Sequence, residues 1–338
     1  MKAVVCHLPG HLSLEERPKP GFVPEGMVLV DVRYVGICGT DYHIFEGKHP
    51  FLQYPRIMGH EASGRVVSVG EGVTLATGEP VIINPYIACG KCIACRQNKP
   101  NCCTSISVIG IHADGAMCEQ IIIPARNLYP ADGLSLRDAA TVEFLAIGAH
   151  AVRRSLARSG SRTLVIGAGP IGIGTALFAR IAGHHVSFLD ADDERLAFAA
   201  DELGFASTIL ANATTAETLA ALSDKEGFDT VFDATGNAGS IQTAFNYVAH
   251  GGALVLVSVV KDVISFSDPE FHKREMMLIG SRNANQEDFV HVVTSIKSGL
   301  VPIDRLVTHE TDIADVPEAL PRWSRNKSGL IKAVVRVN

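Results

Sequence analysis

Four cysteines share one short segment, and their spacing restricts the possible folds more than any other feature of the chain. Cys89, Cys92, Cys95 and Cys103 form the pattern C-x-x-C-x-x-C-x7-C. Thiolates at these intervals can enclose one zinc ion in a tetrahedral cage within a single loop. Because four sulfur ligands leave no coordination position for a substrate, we predict a structural zinc lobe over residues 89–103.

Disulfide bridges and free buried thiols are the alternative roles for these cysteines. The beginning of the sequence, residues 1–7, has no apolar segment followed by a cleavage site, which a secretory signal would need. A chain of 338 residues is also too long for a small disulfide-rich scaffold. We therefore expect reduced thiols and a cytoplasmic protein.

The composition narrows the class of protein and the kind of partner. Hydrophobic residues make up 47% and charged residues 20% of the chain, as in globular proteins of two-domain size. A formal net charge of −6 without a basic run argues against nucleic acid. The sequence contains no apolar stretch long enough for a membrane helix. A small-molecule substrate is the expected partner.

The pattern of secondary structure changes near Ala146. Before it, short Val- and Ile-rich runs separated by Gly and Pro predict an all-β domain. After it, strands alternate with helices, which predicts a doubly wound parallel sheet. The predicted strands are Thr163–Gly167, His185–Asp190, Asp229–Ala234 and Ala253–Val259, and the predicted helices are Pro170–Ile181, Asp193–Leu203, Ser240–Val248 (closed by Gly251-Gly252) and Glu287–Ser298. The final strand, Lys332–Val337, is expected to return to the first domain.

A glycine motif marks a dinucleotide site between the first of these strands and its helix. The sequence of the motif is Gly167-Ala168-Gly169-Pro170-Ile171-Gly172, or G-x-G-x-x-G. Its glycines allow a tight turn, close approach of a pyrophosphate, and helix packing, and the helix N-terminus then receives the phosphates.

The cofactor preference follows from the end of the next strand. Asp190 is placed there to accept hydrogen bonds from a ribose diol and to repel a 2′-phosphate, which favours NAD over NADP. Arg195, five residues further on, is a second cofactor-binding candidate. The alternative role for Asp190 is a helix N-cap, but Asp192 and Asp193 are better placed for capping.

Cys38 and His60 are candidates for a second, open metal site. Both follow predicted strands, in loops where side chains can converge. Taken singly, a cysteine is more often a buried apolar residue and a histidine more often a satisfied polar group. Their presence beside a zinc lobe and a dinucleotide motif favours the metal role.

Together these motifs resemble the zinc-dependent medium-chain dehydrogenase/reductase family over essentially the whole chain. The resemblance rests on the segments 36–41 (G-I-C-G-T-D) and 59–61 (G-H-E), the cysteine lobe and the glycine motif. It implies a GroES-like catalytic domain (residues 1–147 and 287–338), a Rossmann NAD-binding domain (residues 148–286) and an active site between them. It also implies two zinc ions per chain, and an oxidoreductase that converts a secondary alcohol to a ketone with NAD.

The resemblance further assigns roles to individual residues. Cys38 and His60 would hold the catalytic zinc, with Glu143 as third ligand in the sequence Glu143-Phe144-Leu145, where the family has Pro at the second position. Glu61 would be an alternate ligand, and Asp41 would orient His60. Thr40 and His43 would form a proton relay, although His43 could equally be a surface histidine.

Three more segments, 107–115, 266–273 and 280–284, resemble the sugar-acid branch of the family, which oxidises C5 of L-galactonate or L-gulonate to a keto-uronate. A guanidinium binds a carboxylate through two hydrogen bonds, so Arg282 is our hypothesis for the carboxylate clamp, with Lys273 as second choice. Asn283, His112 and Asp114 are candidates for bonding substrate hydroxyls, and Asp114-Gly115 is otherwise a plain turn.

Other functions stay open from the sequence. The substrate could be a polyol such as sorbitol, or L-threonine. A catalytically silent NAD-binding protein or a zinc-free quinone reductase would have lost metal ligands that this chain retains. As in the family, the strand Ala253–Val259 could be an edge that pairs between subunits, giving a homodimer or homotetramer.

Overall fold

The computed structural model describes residues 1–49 and 52–338, which divide into two compact units. The first unit comprises Met1–Glu143, Val293–Gly299 and Leu306–Asn338, and the second comprises Phe144–Val292 and Leu300–Arg305. The functional domain limits expected from the sequence, after residues 147 and 286, stay a prediction. None of the helices described is both long enough and apolar enough to cross a bilayer.

The first unit is built mainly of β-strands. Its strands are β1 (Lys2–Leu8), β2 (His11–Glu16), β3 (Met27–Ile37), β4 (Arg56–Ile57), β5 (Glu61–Val69), β6 (Pro80–Ile83), β7 (Tyr86–Ile87), β8 (Ser107–Val108), β9 (Gln120–Pro124), β10 (Leu128–Pro130), β17 (Val307–Asp312) and β18 (Lys332–Arg336). Its helices are α1 (Gly39–Phe45), α2 (Ile93–Arg96), α3 (Leu136–Ala139) and α12 (Val316–Arg325), with 3-10 turns at Pro100–Cys102, Ala125–Asn127 and Ile313–Asp315.

The largest sheet of the first unit is organised around β3. The strand order is β10-β6-β5-β3-β18-β17, and β9 also pairs with β3. Val28, Val30 and Val32 of β3 are fully buried in the core of this unit. Since β18 pairs antiparallel with β3, the end of the chain returns to the first unit. This pairing matters below, because β18 begins with a buried lysine.

The second unit has strands β11 (Arg162–Ile166), β12 (His185–Asp190), β13 (Thr208–Leu210), β14 (Phe228–Asp233), β15 (Val248–Leu256) and β16 (Met277–Gly280). Its helices are α5 (Pro170–Ile181), α6 (Asp193–Ala197, continuing as a π-helix over Phe198–Glu202), α7 (Thr215–Leu222), α8 (Ala238–Ala244, followed by a 3-10 turn at Phe245–Tyr247) and α9 (Asp268–Lys273). Helices α4 (Val142–Ser155), α10 (Gln286–Lys297) and α11 (Ile303–Leu306) belong in part to each unit.

The second unit is a parallel sheet with the strand order β13-β12-β11-β14-β15-β16. Strands and helices alternate along the chain from β11 to β16, as predicted. The expected combination of a β-rich domain with a doubly wound parallel-sheet domain is confirmed.

Two details of the expected second domain are wrong. Gly251 and Gly252 do not close a helix, because α8 ends earlier and both glycines lie inside β15. The register of β15 against β14 shifts beside them, and Gly251 has a φ of 76°, so the pair marks an irregularity in a strand.

The strand Ala253–Val259 is also not an edge. The observed strand β15 pairs with both β14 and β16, and β16 is the outer strand. Ala253, Leu254 and Val255 are buried. An inner strand of a parallel sheet is covered on both faces, and its sequence is therefore a continuous apolar run.

A buried ionic cluster joins α4 to the start of α10 within the second unit. Asp288 accepts hydrogen bonds from His150 Nδ1 at 2.8 Å, Arg153 Nε at 2.8 Å and the Asn285 backbone N–H at 2.8 Å. Burial by itself raises the pKa of Asp288, but the hydrogen bonds from His150, Arg153 and Asn285 outweigh it and hold the pKa below its usual value.

We predict that Asp288→Asn lowers the free energy of unfolding by about 2–4 kcal/mol at neutral pH, since it removes a buried charge that pairs with buried His150 and with Arg153. The folded-state pKa lies below the unfolded-state value of about 4, so this contribution is complete above about pH 5. It should shrink as the pH falls below about 4. Denaturant unfolding at several pH values measures it.

Glu287→Gln is the matched control, because Glu287 pairs with the same Arg153 at 2.9 Å but is exposed. Its effect should stay below about 1 kcal/mol. Equal effects of the two variants, or a pH-independent loss in Asp288→Asn, would contradict the role given to the buried carboxylate.

Candidate metal centre and dinucleotide site

The four cysteines of the predicted lobe meet around one point in the first unit. The Sγ atoms of Cys89, Cys92, Cys95 and Cys103 lie within 4.8 Å of one another, and all four are free thiols. Backbone N–H groups point at the sulfurs, for example from Cys89 to Cys103 Sγ at 3.2 Å and from Cys95 to Cys92 Sγ at 3.5 Å. These donors stabilise thiolate.

The pKa values fit a thiolate cage. Hydrogen bonds from the backbone N–H groups of Cys95 and Thr104 lower the pKa of the Cys92 thiol to about 5. Four clustered sulfurs with one already favoured as thiolate match the donor set of a structural zinc site. The neighbouring Cys102 is exposed and does not belong to the group.

A second group of metal-ligating atoms lies where β3, α1 and β5 meet. Cys38 Sγ, a ring nitrogen of His60 and a carboxylate oxygen of Glu61 are all within 4.8 Å of one another. Cys38 follows β3 and caps the N-terminus of α1, His60 immediately precedes β5, and Glu61 is the first residue of β5. A Cβ on Gly36 of β3 would overlap the Glu61 carboxylate, so a larger residue there would displace that carboxylate.

Asp41 holds the two loops of this group in place. Its Oδ2 accepts the backbone N–H of Cys38 at 2.9 Å, and its Oδ1 accepts the backbone N–H of Gly59 at 3.3 Å. The same Oδ1 is 4.0 Å from His60 Nδ1. Asp41 is fully buried. It therefore fixes the chain on either side of the group, in the position expected of a residue that orients His60.

Several polar atoms of this group lack partners, which is the signature of a site built for an ion. Within the described residues, His60 Nδ1 and Glu61 Oε1 are buried and make no hydrogen bond. Burial by itself lowers the pKa of His60, but the Asp41 carboxylate and the Cys38 thiol outweigh it and leave the pKa raised. A thiol, an imidazole and carboxylates with unsatisfied atoms are ligands that suit zinc.

Glu61, within the group, and Glu143, close to it, are buried carboxyl groups that have different partners. Glu61 forms a buried ion pair with Lys332, whose Nζ also donates to the Ile37 carbonyl at 3.0 Å. Glu143, in the first turn of α4, lies outside the tight group and accepts a hydrogen bond from the Tyr86 hydroxyl. Burial, and then the charge of Glu61, raises the pKa of Glu143 to about 7.

Sequence reasoning missed both partners. Lys332 carried a detectable signal, because it opens a strand whose next residues, Ala333, Val334 and Val335, are all apolar and buried. Buried lysines are rare unless paired. Tyr86 carried none, since a tyrosine among short apolar strands is ordinary core.

The two residues of the predicted proton relay lie on α1. Thr40 Oγ1 is 3.8 Å from Cys38 Sγ, beside the metal-ligating group. His43 is exposed and lies one turn further along the same helix. The structure thus brings Thr40 to the group and places His43 at the surface.

A cavity of about 530 Å³ in the second unit contains the dinucleotide candidates. Gly167, Gly169, Asp190 and Arg195 line it. Gly169 caps α5, and Pro170, Ile171 and Gly172 form the first turn of that helix. A Cβ on Gly172 would collide with the Gly167 carbonyl oxygen, so the turn can close only with glycine.

The Asp190 carboxylate stands at the carboxyl end of β12. It accepts the backbone N–H of Ala168 at 2.5 Å and that of Asp192 at 2.9 Å. Asp192 is the N-cap of α6 and is 3.5 Å from Arg195 Nε, so capping does not need Asp190. An anionic side chain fixed at the mouth of this cavity suits the recognition of a ribose diol.

The substrate candidates of the second unit lie at opposite ends of β16. Arg282 and Asn283 follow its carboxyl end, where Arg282 is exposed and Asn283 has a φ of 54°. Lys273 precedes the amino end, is exposed, and pairs with Glu270 at 3.5 Å. Ligands of open parallel sheets bind at the carboxyl edge, which favours Arg282 over Lys273.

His112 and Asp114, in the first unit, have local structural partners. His112 Nδ1 accepts the backbone N–H of Val108 at 3.1 Å. Asp114 Oδ1 accepts from the Ile57 backbone N–H at 3.1 Å and from Arg56 Nη1 at 3.3 Å. These contacts are typical of residues that shape a turn.

Comparison with known protein families finds two matches. Residues 24–133 match the family model described as the alcohol dehydrogenase GroES-like domain. Residues 170–298 match the model described as zinc-binding dehydrogenase.

Individual proteins resemble the chain over almost its whole length. It is 39% identical to L-galactonate-5-dehydrogenase of Escherichia coli K12, over 99% of this chain and 98% of that protein. It is 33% identical to 2-dehydro-3-deoxy-L-galactonate 5-dehydrogenase of Pseudoalteromonas atlantica, over 93% and 92% of the two chains. An alcohol dehydrogenase from E. coli CFT073, crystallised with NADH, superposes with a TM-score of 0.93 at 29% identity, over 100% and 99% of the two chains.

We predict that Cys92→Ser removes one zinc ion per chain and lowers the melting temperature by several degrees. The substitution breaks the cage and withdraws the free energy of metal binding from the folded state. Metal analysis and thermal unfolding measure the two effects. Cys102→Ser is the control, and it should keep the metal content and melting temperature of the parent. Unchanged metal content in Cys92→Ser would contradict the cage.

Proposed function

The chain belongs to the zinc-binding, GroES-like alcohol dehydrogenase family, and we propose that it oxidises C5 of a sugar acid, L-galactonate or L-gulonate, to a keto-uronate. The protein is an oxidoreductase that acts on the CH–OH group of a secondary alcohol. Zinc and NAD(P) are the cofactors of this family. The family, fold class and reaction class expected from the sequence are therefore confirmed.

The observation that carries the proposal is the group of donor atoms from Cys38, His60 and Glu61, with the buried carboxyl group of Glu143 close to it. We assign Cys38, His60 and Glu143 as the ligands of the catalytic zinc, and Glu61 as the alternate ligand. Zinc held there supplies Lewis-acid polarisation of the substrate hydroxyl. The second zinc of each chain would be enclosed by Cys89, Cys92, Cys95 and Cys103. Residues 1–147 and 287–338 would form the catalytic domain, and residues 148–286 the NAD-binding domain.

Distance favours Glu61, whose carboxylate oxygen is within 4.8 Å of the Cys38 and His60 donor atoms, whereas charge favours Glu143 as the third ligand. The carboxylate of Glu61 is already neutralised by the ammonium of Lys332. Glu143 accepts a hydrogen bond from a neutral phenol, so its negative charge remains available for a cation. A ligand must be deprotonated, and a divalent cation beside Glu143 favours its ionised form.

Oxidation of an alcohol releases a proton from a buried site, and α1 offers a route for it. The Thr40 hydroxyl stands beside Cys38, where it can exchange hydrogen bonds with the substrate hydroxyl. An imidazole can gain and lose protons near neutral pH, so exposed His43, one turn along the helix, can pass the proton to water.

We propose NAD as the hydride acceptor, bound along the cavity lined by Gly167, Gly169 and Arg195. The N-terminus of α5 would receive the pyrophosphate. Asp190, fixed by the backbone N–H groups of Ala168 and Asp192, would accept the ribose hydroxyls and repel a 2′-phosphate.

We predict that Asp190→Ala lowers the ratio of kcat/KM for NAD to that for NADP by at least about tenfold, because it removes both the hydrogen-bond acceptor and the repelling charge. Steady-state kinetics with each cofactor measure the ratio. Asp193→Ala removes an exposed carboxylate from the first turn of α6 and should leave the ratio unchanged. A ratio that stays constant in Asp190→Ala would make that residue part of the loop structure alone.

The sugar-acid substrate is supported by the names of the two relatives, both of which are galactonate-type 5-dehydrogenases. An aldonate carries a carboxylate, and the chain has a net charge of −6, so binding needs a local cation. Arg282 is our proposed clamp, because it follows the carboxyl end of β16 and a guanidinium holds carboxylate with two hydrogen bonds. Asn283 would bond a neighbouring hydroxyl.

We predict that Arg282→Ala raises the KM for the aldonate by at least about tenfold, with less effect on kcat, since the lost contact binds the carboxylate rather than the reacting carbon. Lys273→Ala should leave the KM unchanged, because Lys273 lies at the other end of β16 and pairs with Glu270. Equal KM values for the parent and Arg282→Ala would remove the clamp from the proposal.

Formation of NADH with L-galactonate, L-gulonate, D-sorbitol, L-threonine and ethanol, before and after treatment with a chelator, tests the function itself. Chelator-sensitive turnover of an aldonate is the expected result. Turnover of sorbitol or threonine alone would replace the substrate while keeping the zinc dehydrogenase. Aldonate turnover that survives complete removal of zinc would contradict the metal assignment.

The proposal extends to assembly and location. The outer strand β16 has exposed apolar side chains at Met277 and Leu278, so pairing of two copies along this strand would produce a homodimer, or a homotetramer by further association. The described cysteines are free thiols, which suits a reducing cytoplasm.

A further inference from the structure

A buried carboxyl group stands behind one wall of the dinucleotide cavity. Asp233 is the last residue of β14 and is fully buried. The loop that follows it, residues 234–240, is named the cavity loop because four of its residues line the cavity: Ala234, Thr235, Asn237 and Ser240. The carboxyl group of Asp233 therefore lies one layer behind the surface that a dinucleotide would contact.

Three hydrogen-bond donors of the cavity loop converge on this carboxyl group. Asp233 Oδ1 accepts the backbone N–H of Thr235 at 3.0 Å and the Thr235 hydroxyl at 2.8 Å. Asp233 Oδ2 accepts the Ser240 hydroxyl at 2.6 Å. Burial raises the pKa of Asp233, and the hydrogen bonds from Ser240 and Thr235 offset this only in part. Burying a carboxyl group costs free energy, and the side-chain hydrogen bonds that offset this cost come from the cavity loop.

The hydrogen bonds continue from the carboxyl group through the rest of the cavity loop. The Thr235 hydroxyl also accepts the backbone N–H of Asn237 at 3.1 Å, and Asn237 Oδ1 accepts the backbone N–H of Ser240 at 3.0 Å. The backbone N–H of Gly236 donates to Ser258 Oγ at 2.8 Å. Thr235, Gly236 and Asn237 are exposed. Hydrogen bonds, rather than packing, therefore fix this part of the loop.

The cavity loop lies against the glycine turn of the dinucleotide motif. A Cβ built on Gly167 would be 3.2 Å from the carbonyl carbon of Ala234 and 3.2 Å from Thr235 Cγ2. The backbone N–H of Ala234 also donates to the Ile166 carbonyl at 2.9 Å. Because a pyrophosphate approaches the backbone at this turn, a displacement of the loop would change the space that the cofactor enters.

We propose that Asp233 is a positioning residue for dinucleotide binding, which fixes the cavity loop through Thr235 and Ser240 in the shape that receives the cofactor. It acts through these two residues and does not touch the cofactor. The inference deepens the proposed function. It rests on the dinucleotide site but not on the identity of the alcohol or of the zinc ligands.

The test measures binding of NADH to the purified, zinc-loaded protein by fluorescence titration, without any alcohol. Asp233→Ala removes the acceptors of all three hydrogen bonds and releases the cavity loop. We expect the Kd for NADH to rise at least about tenfold. Thermal unfolding of each variant shows whether it is folded.

Asp229→Ala is the matched control. Asp229 lies near the amino end of the same strand, β14, and its Oδ2 accepts the backbone N–H of Arg162 at 2.7 Å. The variant therefore also loses a carboxylate and a hydrogen bond to the backbone, but at the end of the strand away from the cavity loop. It should keep the parental Kd for NADH.

Two variants of Thr235 separate positioning from the loss of a direct contact. Thr235→Val keeps the shape of the side chain but removes the hydroxyl that donates to Asp233. Its Kd for NADH should rise at least about threefold. Thr235→Ser keeps the hydroxyl and loses the methyl group, and it should bind NADH as the parent does. Loss of an apolar contact with the cofactor would give the opposite order.

A double-mutant cycle tests whether the two residues act as one unit. Thr235→Val should have no further effect on the Kd for NADH once Asp233 is replaced by Ala. A parental Kd in Asp233→Ala, equal Kd values in Thr235→Val and Thr235→Ser, or additive losses in the cycle would overturn the proposal. Where Asp233→Ala does not fold, the two Thr235 variants decide the question alone.

Failure of this inference is distinguishable from failure of the proposed function. A parent that binds no NADH would remove the dinucleotide site, and the role of Asp233 with it. A parent that binds NADH but oxidises no aldonate would lose its proposed substrate, while the Kd values would still test the role of Asp233.

Discussion

The compensation of buried charge is the constraint on which the first unit depends. Asp41, Glu61, Glu143 and Cys38 can each carry a negative charge, whereas Lys332 and His60 can each carry a positive one. Ionised groups removed from water are costly unless they are paired or bound to a metal. A histidine that binds a metal must be neutral, so the four acidic groups and Lys332, all ionised, would leave an excess of three negative charges. A divalent cation offsets two of them, so folding and metal binding favour the same arrangement.

This compensation depends on where strands meet. Glu61 opens β5, Cys38 follows β3, and Lys332 opens β18, which lies beside β3 in the sheet. The register of β18 against β3 brings the lysine to the carboxylate and to the Ile37 carbonyl at the end of β3. The sheet thereby sets the charge around the metal-ligating atoms. The proposed metal site and the core of the first unit are built from the same strands.

The proposed dinucleotide site of the second unit is built by different means. Its cavity is lined by a glycine turn, the start of a helix and one fixed carboxylate, Asp190. Backbone N–H groups and a helix N-terminus bind phosphate without buried side-chain charge. Such a site depends on local chain geometry. This explains why a short motif in the sequence is enough to predict it.

Sequence patterns with short-range causes predicted the fold well. The bounds of helix Pro170–Ile181 and strand His185–Asp190 agree with the structure, because both are continuous periodic segments with clear ends. Gly251-Gly252 misled the prediction, since a glycine pair can end a helix or interrupt a strand. The edge position assigned to Ala253–Val259 was wrong for a related reason. An apolar run shows that a strand is covered, but the strand order comes from the tertiary fold.

By itself the sequence determined the features whose parts lie close together along the chain: the cysteine lobe, the glycine turn with Asp190, and the pairing of Cys38 with Thr40 on one helical turn. Only the tertiary structure decided how the two carboxylates are held. Lys332 of β18 contacts Glu61 of β5 across most of the length of the chain, and Tyr86 of β7 contacts Glu143 of helix α4. No local pattern encodes such contacts, because strand order and register create them. The physical reason is that the ionisation and orientation of a buried carboxylate depend on its nearest polar neighbour in space. The tertiary fold determines which residue that neighbour is.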